Sequence, residues 1–96
     1  MIVSVCKISL VLPSSSLKEK RRIIRSIMGK TSNKFNVSIS EVAGNDQWGQ
    51  SVIGISSVSS SLRHGEKSIE KAIRFIESER VDVEIIDIDR ETFTGF

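Results

Sequence analysis

The stretch "IVSVCKISLVL", residues 2–12, is rich in β-branched side chains and stops at Pro13, which has no amide hydrogen to give to a sheet ladder. It reads as a strand. Successive side chains of a strand point to opposite faces, so Ile2, Cys6, Ile8 and Leu10 share one side while Val3, Val5, Lys7 and Ser9 share the other. A lysine in mid-strand is costly to bury without a partner, so the Lys7 side is expected to face away from the core. A sheet built on this strand therefore has one open face.

Working outward, Ser16-Leu17-Lys18-Glu19 has the S-x-x-E form of a capping box, with Ser16 as N-cap and Glu19 expected to reach back to the Ser16 amide. The helix that follows carries Leu17, Ile24, Ile27, Met28 and Thr31 on one side. "NVSISEVA", residues 36–43, alternates apolar and polar and predicts a second strand, with Val37 and Ile39 toward the helices and Ser38 and Ser40 outward. "GNDQWG", residues 44–49, is a loop, and "QSVIGISSVSS", residues 50–60, is a third strand whose apolar positions do not choose one face. Ile69, Ala72, Ile73 and Ile76 place a second helix over Leu62–Glu79, weakened in its first turns by Gly65. "VDVEIIDIDR", residues 81–90, predicts a fourth strand with its acids at the more exposed positions, and the tail "ETFTGF" carries no assignment.

The order β-α-β-β-α-β with right-handed crossovers puts both helices on one face of a four-stranded antiparallel sheet. The expected class is α+β, a ferredoxin-like two-layer sandwich, and 96 residues make one such domain over residues 1–96.

Charge is distributed unevenly. The net formal charge is only +2, so a case for a polyanionic partner has to rest on local clustering. Residues 18–34 hold seven basic residues against one acidic, and residues 77–91 hold seven acidic against two basic. At 100° per residue, Lys18, Arg22 and Arg25 fall within about 60° of one another on the side away from Ile24, with Arg21 on the flank. These four are the candidate phosphate contacts; the competing reading is an ordinary solvated face, since Lys and Arg are good helix formers and a charged outer face is normal. Positive charge in a first turn opposes the helix macrodipole, so stability alone gives little reason to place it there. Lys20 lies inside the apolar stripe, and the expectation is that its stem packs while its ammonium snorkels to water.

Other chemistry is poorly served. Cys6, the lone cysteine, cannot form an internal disulfide and is expected to be a buried, inert thiol. His64 has no second histidine or cysteine cluster beside it, so no metal is expected. Capping accounts for Ser16 in "SSS", residues 14–16, and no glycine-rich loop is present to admit a phosphate. No nucleophile is spaced to pair with a base, so the protein is expected not to be an enzyme and to use no cofactor. The N-terminal stretch lacks a basic n-region and a small-residue cleavage site, and no apolar run approaches the roughly 20 residues that cross a bilayer. A cytoplasmic protein with no membrane partner is expected.

"LPSSSLKEKRR" at 12–22, "FNVSISEV" at 35–42, "DQWGQSVIGISSVS" at 46–59 and "FIESE" at 75–79 together resemble the YlxP-like family of small bacterial proteins, which carry a domain of unknown function. The resemblance spans nearly the whole chain. It implies a ferredoxin-like fold and no established activity. Members are often encoded near translation and transcription factors, which points toward RNA or the ribosome.

Two functional expectations follow. The first is an RNA- or ribosome-associated accessory factor that contacts phosphates through Lys18, Arg21, Arg22 and Arg25. Because "MIVSVCKISLVL" and "QSVIGISSVSS" contain no aromatic residue, bases would not be read on the central strands. The second is a protein-interaction module, homodimeric through the open sheet face, with Val3 and Val5 and also Ile53 and Ile55 supplying apolar surface. Trp48 is expected to cover one end of the core, with an interaction role as partner anchor or base-stacking platform as the alternative.

Overall fold

The computed structural model describes residues Met1–Phe96. Its elements run β1 (Ile2–Val11), α1 (Leu17–Lys34), β2 (Ser38–Ala43), β3 (Gln50–Ser59), α2 (Leu62–Glu79) and β4 (Glu84–Phe93). The strands form one antiparallel sheet in the order β2-β3-β1-β4, and both helices pack on one side of it. This is the ferredoxin-like α+β arrangement that the element order requires.

β1 is central, pairing with β3 along its whole length and with β4 from Val3 to Val11. Its even-numbered side chains Cys6, Ile8 and Leu10 are buried under the helices, and Lys7 is exposed on the other face. The register pairs Ile8 with Ile53 and Cys6 with Ile55, so both β3 isoleucines join the core. This corrects the expectation that they line the open face. β3 is apolar at both parities, and only its register against β1 decides which set is buried. Val52 and Val58 take the open side, with Val58 63% exposed.

α1 closes the core with Ile23, Ile24 and Ile27, and α2 with Ile69, Ala72, Ile73 and Ile76. Gly65 in α2 is buried where the helix crosses β1, and a Cβ there would lie 2.7 Å from Ser4 Oγ. The glycine that weakens the helix locally thus permits its close approach to the sheet. Ser4 Oγ, beneath it, is buried without a hydrogen-bond partner.

Element boundaries differ from expectation by more than one residue at two places. Val37 donates to the Phe35 carbonyl in a tight turn, so β2 begins at Ser38. After α2, Arg80 pairs with both carboxylate oxygens of Asp82, and the Val83 amide bonds the Arg80 carbonyl. That turn uses residues 80–83, so β4 starts at Glu84 and takes in Glu91–Phe93 of the tail, which pair with Val3–Val5. No helix is long and apolar enough to cross a membrane.

Candidate nucleic-acid interface

α1 begins at Ser16, whose hydroxyl accepts from the Glu19 amide at 3.1 Å. The reciprocal half of the capping box falls one residue earlier than expected. Glu19 accepts from the amide and hydroxyl of Ser15, each at 3.3 Å, and not from the Ser16 amide. Either way the carboxylate sits at the positive end of the helix dipole.

From this start the helix presents two kinds of cation. Lys20 is completely buried, contrary to the expectation that its ammonium snorkels. Its Nζ lies 2.7 Å from Glu41 Oε2 and donates to the Gly44 carbonyl at 2.5 Å, while Ser51 Oγ donates to the same Glu41 oxygen at 2.5 Å. The ammonium never reaches water because its partners arrive from below. Glu41 follows Val37 and Ile39 in the core-facing parity of β2, and Gly44 (φ +75°) turns the chain so that its carbonyl faces the ammonium. A signal for this was present in the sequence. A lysine in the helix's apolar stripe and a glutamate at a core position of the strand are each costly alone and compatible only together.

Lys18, Arg21, Arg22 and Arg25 behave oppositely. All four are exposed, and together they line one surface depression of about 430 Å³. The five ion pairs of the molecule are Lys7–Asp89, Lys20–Glu41, Lys30–Glu79, Arg74–Glu70 and Arg80–Asp82. None of them engages the patch. Of the other basic residues of α1, Lys30 bonds Glu79 of α2 at 2.5 Å, and Lys34 lies 4.9 Å from the centre of the Phe75 ring. Seven cations therefore reduce to four that gather on one surface with no internal partner.

The acidic end of the chain lies elsewhere. Register places Asp87, Asp89 and Glu91 of β4 beside Ser9, Lys7 and Val5 on the open face. β4 is the edge strand farthest from β2, and α1 packs toward β2, so these β4 acids and the α1 patch lie toward opposite edges of the sheet. Val3 and Val5 lie on the open face as expected, joined by Val58, by Phe93 at 42% exposed and by Val42, whose methyls sit over Gly54.

Trp48 does not cover the core. It is 56% exposed, and Leu12 is the residue of that end which is buried in the apolar cluster. Its loop is nevertheless held firmly. Ser14 Oγ donates to the Trp48 carbonyl, the Leu12 amide donates to Gly49 O at 2.9 Å, and Gln47 N donates to Gly44 O at 3.0 Å. Ser14 is thus buried as a strap on this loop and is not aimed at a ligand.

Cys6 is buried, and desolvation pushes its thiol up to about 11, partly offset by the charge of Arg90, so it is protonated near neutral pH. His64 is exposed, and no group of three His, Cys, Asp or Glu side chains comes together as a metal site.

Fold and surface together define a small ferredoxin-like α+β domain that carries a free cationic patch on its first helix. Residues 3–90 match the family described as Protein of unknown function (DUF503), and the chain belongs to that family. It is 42% identical over 69 residues to Uncharacterized protein YlxP of Bacillus subtilis (strain 168), an alignment covering 72% of this chain and 75% of that protein.

Proposed function

We propose that this protein is a cytoplasmic, non-catalytic accessory factor that binds RNA or the ribosome through phosphate contacts from Lys18, Arg21, Arg22 and Arg25. One observation carries the reading: four cations share a surface on α1 and none is engaged by a carboxylate of the protein. Lys20 and Lys30 of the same helix are paired, and the four stand apart from them. Arginine suits this task because its guanidinium presents a planar fork to phosphate oxygens.

Four phosphate contacts give a log–log salt slope of about −3 on single-stranded RNA. Titration of RNA affinity against salt, for wild type and for Arg22→Glu/Arg25→Glu, tests this directly. The double variant is expected to bind more weakly and with a shallower slope; equal slopes would remove the patch from binding. Co-sedimentation with ribosomal subunits at low salt, lost at high salt, is the corresponding result for the assembled partner.

A second reading, association of two copies through the open sheet face, draws on the exposed Val42, Val58 and Phe93 beside Val3 and Val5. Sedimentation velocity of wild type and Val5→Lys separates it from the first reading. A wild-type monomer at all concentrations leaves this face without a second copy.

A further inference from the structure

We infer that Trp48 is a stacking platform for an unpaired RNA base whose neighbouring phosphates lie on the cations of α1. The inference rests on the phosphate-binding reading above and specifies the nucleic acid as single-stranded. Three features of the 44–49 loop carry it.

The indole is more than half exposed, although it offers the largest apolar surface of any side chain in the loop. Exposure does not come from slack backbone. The loop is tied at its first residue and at its last two: Lys20 Nζ holds Gly44 O, Ser14 Oγ holds Trp48 O, and the Leu12 amide holds Gly49 O. A ring presented on a pinned backbone loses little conformational freedom when a flat partner settles on it.

The pins also locate the loop. Two of them come from Ser14, two residues before the α1 N-cap, and from Lys20 in the second turn of the same helix. The loop therefore abuts the end of α1 from which the cationic patch starts. From Ser16 to Arg25 the helix advances about 14 Å, which is roughly four stacked nucleotide spacings. A strand of that length reaches from the loop to the far end of the patch.

The aromatic-free central strands complete the argument. β1 and β3 offer no ring on the sheet, so base stacking of the kind used by sheet-based RNA binders has no platform there. Trp48 is the aromatic side chain of the loop tied to the start of α1, whereas Phe35 and Phe75 pack edge to face (5.6 Å) near the C-terminal ends of α1 and α2 and Phe93 lies opposite Val3 on β4. Duplex RNA keeps its bases stacked and cannot use such a platform, whereas a single strand can.

Trp48 is the sole tryptophan, so intrinsic fluorescence reports on it alone. The probes are one mixed-sequence oligoribonucleotide, its annealed duplex and the DNA oligonucleotide of the same sequence. Single-stranded RNA is expected to quench and shift the emission, and the duplex to leave it nearly unchanged. Trp48→Ala is expected to weaken single-strand affinity roughly five- to a hundredfold without changing the salt slope, and Trp48→Phe to restore most of it. An equal response to the DNA strand keeps the stacking site and removes RNA as its particular source. Binding with a slope near −3 but unchanged emission overturns the stacking inference and leaves the phosphate reading standing. No binding of any probe overturns both. An emission shift produced by raising protein concentration alone assigns the ring to self-association and overturns the inference.

Discussion

α1 and α2 are both 18 residues long, both start from a serine N-cap, and both lie on the same face of the sheet. Their outer surfaces differ sharply. α2 carries four basic and four acidic residues, including an Arg74–Glu70 pair one turn apart at 2.8 Å. That is what a solvated helix face looks like when only solubility and modest pairing are at stake. α1 carries seven basic residues and one acidic one, and leaves four of the cations unpaired on one surface. The same chain therefore contains its own control. A helix here can balance its charge, and α1 does not.

The helices also dock by different means. α1 reaches the sheet through a buried ammonium, Lys20 on Glu41, while α2 comes close by having no side chain at Gly65. Breaking each device gives the largest expected stability effects. Glu41→Ala leaves the Lys20 charge buried without its carboxylate and is expected to cost about 3–5 kcal/mol, seen as a lower urea midpoint. Lys20→Met/Glu41→Leu removes both charges and is expected to recover most of that loss. A Glu41→Ala protein as stable as wild type would show that the pair is not anchored as described.

The surface contrast is broken by moving charge on each helix in turn. Arg22→Glu/Arg25→Glu in α1 is expected to lower RNA affinity at least tenfold at low salt. Lys67→Glu/Lys71→Glu in α2 makes the same change of net charge and is expected to have a much smaller effect. Equal losses in the two would mean that overall charge governs binding and the patch does not.

Gly65→Ala sharpens the docking half of the comparison. The substitution gains about 1 kcal/mol of helix propensity, but it drives a methyl into Ser4 Oγ, an overlap worth about 1–3 kcal/mol. Net destabilisation of about 1 kcal/mol is expected. In a Ser4→Ala background the nearest remaining atoms are carbons at 3.6–3.7 Å, so the same change should become neutral or stabilising. Thermal unfolding of the four proteins of this cycle reads the sign.

The smallest expected effect is at the end of α2, where hydrogen bonds from Arg80 hold the Asp82 carboxyl below its ordinary value. Because the folded state binds this proton less readily than the unfolded chain, the contribution is present above the ordinary aspartate range and lost as pH falls through it. Asp82→Asn should therefore slightly flatten the stability profile on its acid side and leave neutral pH almost unaffected.

Local order was legible in the residues themselves. Helical spacing in 69–76, alternation in 36–43 and the serine before Leu17 set out six elements in sequence, because periodicity and capping depend on near neighbours. The spacing of apolar residues puts the α2 limits where the structure has them, but it puts β4 three residues early, since the Arg80–Asp82 turn gives no hydrophobic signal. The candidate cations could be picked out by wheel position, but their freedom from carboxylates could not.

What the sequence alone determined was the order of elements, the polarity of β1 and the cluster of charge on one side of α1. The tertiary structure alone decided that Ile53 and Ile55 belong to the core, that Lys20 meets Glu41, and that Trp48 is tied down yet exposed. The physical reason is distance along the chain. Periodicity reports contacts a few residues apart, while a strand's register and a buried charge's partner are fixed by segments twenty or more residues away.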